Sequence, residues 1–269
     1  ALPRRGVHID MTKGFFSVIL RDKYIIAGRG TRDLQAKYRR SLLGVLWSII
    51  TPFALSVIIG TVYAFLFNQD IKVMIPMMFA GLNPWTFIVA CAEGGNNAFI
   101  HAEGYLKQLD VNPQIFPLRV VFVGFITLLY SIMAVFVLYL ILQPNAFGAE
   151  MLMLIPGLVI MFVFCWGVAQ FAAVANLYVR DYQPLQSLAL QGLFYVTPII
   201  YRPSQLGEKF AFVYRFNPFY YILDVVKQPL LGNAVPWETY LIAIAVALVA
   251  FTVGTLMVNA CRWKINFKL

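Results

Sequence analysis

The sequence predicts an all-α membrane protein with six transmembrane helices, and three observations carry that prediction. Hydrophobic residues make up 61% of the chain and charged ones only 12%, against roughly 25% charged in soluble domains. Mean hydropathy is +0.75. Six stretches nearly free of charge each reach the about 20 residues that a helix needs to cross the hydrocarbon core. Barrel strands need only about 9–11 residues, so the length of these stretches selects helices.

Taken in order, residues 1–14 are polar and basic with no apolar run behind them, which predicts no cleavable signal peptide. Residues 12–27 mix apolar and charged positions and are too short to span. They predict an amphipathic helix lying on the inner membrane face, ended by Gly28 and Gly30. With the basic stretch that follows, they make an interfacial region over 12–40. The spans are expected at about 41–69, 73–98, 120–143, 151–179, 183–201 and 239–261. Residues 202–238 form an outer loop whose aromatic runs, broken by Pro218 and Pro229, predict short re-entrant helices. Such helices are tolerated where protein or a water-filled cavity covers their backbone. The whole chain, 1–269, reads as one transmembrane domain.

Basic residues set the orientation. Ten of the 21 precede position 41, and with both termini inside, 16 of the 21 fall on the inner side. The outer side keeps Lys72, Arg202, Lys209, Arg215 and Lys227. The positive-inside rule therefore gives both termini to the cytoplasm. The +9 net charge is concentrated before the first span, which suits topology and anionic lipid, not nucleic acid.

Several chemistries are missing from the sequence. It contains no GxxxxGK[ST] loop and no Gly-Lys pair, so no hydrolysis of nucleotide by this chain is expected. Gly28-Arg-Gly30 lacks the third glycine of a dinucleotide fingerprint. His8, His101 and the scattered Cys91, Cys165 and Cys261 make no metal or disulfide pattern. No catalytic residue and no cofactor is expected. Glu93 is the one ionisable group well inside an expected span; it is read as a helix-to-helix hydrogen-bonding group before an ion-coupling one. Aromatics reach 16%, and interface belts account for many of them, although aromatic faces also suit a sugar conduit. The loop 101–119 mixes charges with apolar anchors, as a partner-docking helix or a solvated connection would.

Three segments together resemble the permease subunit of ABC-2 type polysaccharide exporters, which move O-antigen, capsule or teichoic-acid chains. The first is Asp33-Leu, Lys37-Tyr-Arg-Arg-Ser-Leu-Leu-Gly44 and Trp47 followed by Pro52. The second is the loop ending Pro117-Leu-Arg119. The third is Asn176-Leu-Tyr-Val-Arg180-Asp181, then Thr197-Pro-Ile-Ile-Tyr201 and Asn217-Pro218. The resemblance implies a homodimer in the bacterial inner membrane that binds two ATPase subunits, which carry ATP and Mg. It implies a polyprenyl-diphosphate-linked glycan, most readily O-antigen, as cargo.

On that resemblance Lys37, Arg39 and Arg40 lie at the lipid-diphosphate entrance, since guanidinium groups pair bidentately with phosphate oxygens. Glu103, Tyr105, Lys107 and Gln108 become the ATPase coupling loop. Trp47, Tyr63, Trp85, Tyr195, Tyr201, Tyr214, Phe219 and Tyr220 become channel and gate aromatics, and Arg180 and Asp181 are signature residues. An ABC-2 permease for drugs or small lipids, a polyprenyl-linked sugar transferase and an ion-coupled carrier are the competing readings.

Overall fold

A computed structural model of the protein describes residues 43–108, 111–142, 147–201 and 208–268. The expected interfacial region 12–40, with Lys37, Arg39 and Arg40, lies outside them, as do residues 202–207 of the expected outer loop. Every regular element among the described residues is helical: α1 Trp47–Leu66, α2 Ile71–Asn96, α3 Glu103–Gln108, α4 Ile115–Leu142, α5 Leu154–Tyr178, α6 Tyr182–Val196, α7 Glu208–Arg215, α8 Pro218–Leu230 and α9 Trp237–Lys268. Single 3-10 turns, Gly44–Leu46 and Ala149–Met153, lead into α1 and α5.

Four of these helices are long and apolar enough to cross a membrane, namely α2, α4, α5 with its leading turn, and α9. The apolar part of α1, Ile50–Leu66, is shorter. The stretch expected as one span over 183–201 is helical only to Val196. At 1.5 Å per residue its 15 residues reach about 22 Å, short of the roughly 30 Å hydrocarbon thickness. Pro198 is the cause, because the residue before a proline is pushed out of the α region. Thr197 accordingly turns extended, at φ −85° and ψ 134°.

Helix starts follow ordinary capping chemistry. Asp70 accepts a hydrogen bond from the Lys72 backbone N–H at 2.9 Å and opens α2. Asn217 does the same for Phe219 at 3.0 Å, with Pro218 in the first turn of α8.

The core is built around α5, which packs along α9, α2, α4 and α8. The α5–α9 crossing is close because Gly167 faces Ala250 and Gly254. A Cβ on Gly167 would meet the Ala250 carbonyl carbon at 2.3 Å, and one on Gly254 would meet the Gly167 oxygen at 2.4 Å. Small residues let helix backbones touch in this way without an aqueous driving force. Cys91 and Cys165, 74 residues apart in sequence, are both buried in this core as free thiols. The short helices expected in the outer loop are present as α7 and α8. Far from lying exposed, α8 buries Ile222, Leu223, Val225, Val226 and Leu230 against its neighbours.

Candidate functional site

Three features meet the surfaces left open by this packing. The first is a cavity of about 840 Å³ between α1, α2 and α4. Arg119, His101 and Tyr105 sit at the end formed by the α2–α4 connection, and Thr127, Leu128 and Ser131 line it farther along α4. Trp47, Thr51 and Leu55 close its α1 side. Three of the polar side chains on its walls turn back to their own helices. Thr86 donates to Asn83 O at 2.8 Å, Thr127 to Val123 O at 3.1 Å, and Asn83 to Phe79 O at 3.1 Å. The middle of the cavity is therefore mostly hydrocarbon in character, and its one cationic side chain among the described lining residues, Arg119, is at an end.

The second feature is α3. Its Leu106 plugs into a small apolar cluster with Ala98, Phe99, Phe116, Val258 and Ile265. That anchor leaves Tyr105, Lys107 and Gln108 exposed and Glu103 half-buried. Glu103 and Lys107 pair across one helical turn. All four expected coupling residues thus share one short helix fixed to the body of the protein.

The third feature is the turn 197–201 that follows α6. The Lys227 ammonium, 4% exposed, donates to the carbonyls of Pro198 at 2.7 Å and Ile199 at 2.8 Å, and reaches Tyr201 O at 3.4 Å. Asn217 donates to the Thr197 hydroxyl at 2.7 Å, which itself donates to Leu193 O at 2.7 Å. Asp224, one turn before Lys227 on the same buried face, accepts from Gln228 at 2.9 Å. Gly81 of α2 lies directly under this turn, since a Cβ there would be 2.2 Å from Ile199 O. The last carbonyls of the proline-broken helix are met by Thr197 at Leu193 O and by the Tyr201 hydroxyl at Tyr195 O, and the carbonyls of the turn beyond it are met by a buried cation.

The expected aromatics fall into separate groups. Trp85 is buried between Phe194 and Phe219, with ring centroids 6.1 and 6.0 Å away, and Phe219 also meets Phe164. Tyr214 and Tyr220 pack at 5.1 Å on the α7–α8 hairpin. Tyr201 donates to Tyr195 O at 2.9 Å beside the end of α6. Trp47 and Tyr63 sit toward opposite ends of α1, Tyr63 against Phe67. Arg180 and Asp181 are exposed in the tight connection from α5 to α6. Glu93 is exposed on α2 and accepts from Ser187 of α6 at 3.2 Å, a helix-to-helix bond of the kind its sequence position predicts.

Sequence reasoning missed Lys227, Asp224 and the cavity. Asp224 and Lys227 stand i, i+3 within an apolar helix, and that spacing was the available signal. It also missed a buried amide network, in which Asn96 donates to Gln186 and Asn176 donates to Asn96 O, tying α2, α5 and α6 together. Among the described residues no group of three His, Cys, Asp or Glu could hold a metal ion.

The family model described as ABC-2 type transporter matches residues 30–231. The chain belongs to the ABC-2 type transporter family. The match spans α1 to α8 and so includes the cavity, α3 and the pinned turn of this ABC-2 chain. It is 26% identical over 238 residues to the O-antigen export system permease protein RfbA of Klebsiella pneumoniae, covering 87% of this chain and 90% of the relative. It is 25% identical over 217 residues to the protein of the same name from Myxococcus xanthus, covering 80% and 83%.

Proposed function

We propose that this chain is the membrane-spanning permease of an ATP-driven exporter that moves polyprenyl-diphosphate-linked polysaccharide, most readily O-antigen, across the bacterial inner membrane. The likeness to O-antigen export permeases over most of both chains carries the reading. The sequence lacks a nucleotide-binding loop, so a separate ATPase supplies the energy, and α3 is the element fixed and displayed for its docking. α1 and α6 complete six spans with both termini cytoplasmic, α6 together with the turn that follows it.

The face of α6 supports a homodimer with the conduit beside that helix. Gln183, Gln191 and Tyr195 are exposed and Ser187 is half-buried, at four-residue spacing on one side of the helix. Residues four apart share a helix face. An amide and phenol stripe is a poor surface for lipid, and suits a water-filled path for sugar hydroxyls closed by a second copy.

The test is reconstitution in proteoliposomes with the partner ATPase and a defined lipid-linked glycan. Export should need both subunits and ATP, and should be lost when Arg39 and Arg40 are both neutralised while the complex still assembles. Transport by the permease alone would overturn the ATP-driven reading. Transport of small amphiphiles but no glycan would overturn the cargo.

A further inference from the structure

We propose that the cavity between α1, α2 and α4 is a binding site for a phosphate-headed lipid, with its hydrocarbon chain along the groove and its phosphate at Arg119. The shape is that of a slot. From Arg119 to Ser131 along α4 is twelve residues, or about 18 Å at the helical rise. A cavity of about 840 Å³ followed over that length has room for an extended hydrocarbon chain.

The wall chemistry agrees with the shape. Thr86 and Thr127 have committed their hydroxyl donors, and Asn83 one of its two amide hydrogens, to backbone carbonyls of their own helices, which leaves few donors for a polar occupant. The two ends differ. Ser131, 3% exposed, has a hydroxyl without a hydrogen-bond partner among the described residues. At the other end Arg119 shares the mouth with His101 and Tyr105. A guanidinium presents a planar fork of donors that fits phosphate oxygens, and its position near the start of α4 puts it at headgroup depth if that helix crosses the bilayer. Cationic at one end and hydrocarbon along its length, the slot has the polarity of a phospholipid or prenyl phosphate.

The shared chemistry can come from the polyprenyl diphosphate of the cargo or from a resident anionic phospholipid. The site depends on the chain spanning a bilayer and not on its cargo, so failure of glycan export would leave it standing.

The full chain with its ATPase, in lipid nanodiscs, is irradiated separately with three probes. These are a phosphatidylglycerol with a diazirine in its acyl chain, a polyprenyl diphosphate with a diazirine in its tail, and a diacylglycerol with the same diazirine. Adducts are mapped by peptide mass spectrometry. The expected result is labelling of wild-type protein concentrated on the peptides carrying Thr51, Thr86 and Thr127. Thr127→Trp, which fills the slot, should lower it about tenfold. Arg119→Gln should lower phosphate-probe labelling at least about fivefold with Arg119→Lys retaining most of it. Selective labelling by the polyprenyl probe identifies the cargo lipid, and labelling by phosphatidylglycerol identifies a resident lipid.

Three outcomes overturn the proposal. One is equal labelling by diacylglycerol. Another is adducts spread evenly over the outward residues of α4, such as Met133 and Val137, and unchanged by Thr127→Trp. The third is groove labelling that appears only after removal of residues 1–42, which would make the chain's own N-terminal segment the occupant.

Discussion

Lys227→Met tests whether the turn after α6 is held by charge or by shape. Methionine keeps most of the length of the lysine side chain and removes only its donors. The ammonium makes two short bonds, 2.7 and 2.8 Å, to Pro198 and Ile199, and one long contact to Tyr201. Hydrogen bonds from a charged group contribute roughly 1.5–3 kcal/mol each, so the two short ones sum to about 3–6 kcal/mol in favour of the native turn. Burying the ammonium offsets a large part of that sum, at several kcal/mol per ion. The variant also leaves two carbonyls without a donor and the Asp224 carboxylate without its neighbouring cation. A net loss of about 3 kcal/mol follows, toward the lower end for a broken buried pair. For a chain of this size each kcal/mol shifts the melting temperature by about 2–4 °C, so the shift should be about 6–12 °C. Thermal unfolding in detergent, followed by tryptophan fluorescence, reads it out, because Trp85 packs on Phe194 next to the turn. Lys107→Met, which breaks an exposed pair, is the control and should move the transition by less than about 2 °C. Lys227→Met/Asp224→Asn should melt above Lys227→Met alone, since the stranded carboxylate is removed. A Lys227→Met protein that melts within 2 °C of wild type would falsify the claim that charge pins the turn.

Gly81→Ala should destabilise by about 1–3 kcal/mol, because the new methyl would stand 2.2 Å from Ile199 O. It should also raise the reactivity of a cysteine placed at Tyr201 toward a membrane-impermeant maleimide, and unchanged reactivity would show that the turn does not rest on α2. At α3 the charge swap Glu103→Lys/Lys107→Glu keeps the exposed i, i+4 pair, so stability should change by less than about 0.5 kcal/mol. Co-purification of the ATPase should nevertheless fall severalfold, and full co-purification would remove α3 from the docking surface.

The helices were legible because long stretches nearly free of charge have few alternatives in a chain this apolar, and the differences are local. The third span starts at Ile115 and not at the expected 120, because a charge at the end of an apolar run marks a loop in the sequence whereas the helix continues through it. Arg119 instead sits inside α4, where a long side chain can carry its charge to the rim while its stem lies along apolar surface. The helix expected to run to 201 ends at Val196 for the opposite reason, because apolar Ile199 and Ile200 mask the break at Pro198. Among the candidate sites, α3 was legible since its residues are contiguous. The Lys227 site was not, because a donor and acceptors 26–29 residues apart meet only through the register of α8 on α5 and α2. The cavity was least legible of all, since it is set by how three helices diverge.

Two kinds of contact hold this protein together, and they differ in what can replace them. Where α5 crosses α9, backbone meets backbone at Gly167 and Gly254, and any separation of the helices opens a void that neither water nor lipid fills well. Along α6 and at the turn after it the ties are polar: Ser187 to Glu93 on the helix, then Asn217 to Thr197 and Lys227 to two carbonyls at the turn. Such bonds are strong while dry, yet each of their groups can exchange its partner for a water or a sugar hydroxyl at small net cost. On the proposed reading of a polysaccharide permease, a conduit that admits a hydroxyl-rich polymer and then closes needs ties of that second kind along its path. Ser187 and the pinned turn provide them on the side of the molecule where, among the described residues, α6 packs mainly on α2 and α5. Opening should therefore begin at the turn and leave the α5–α9 crossing fixed.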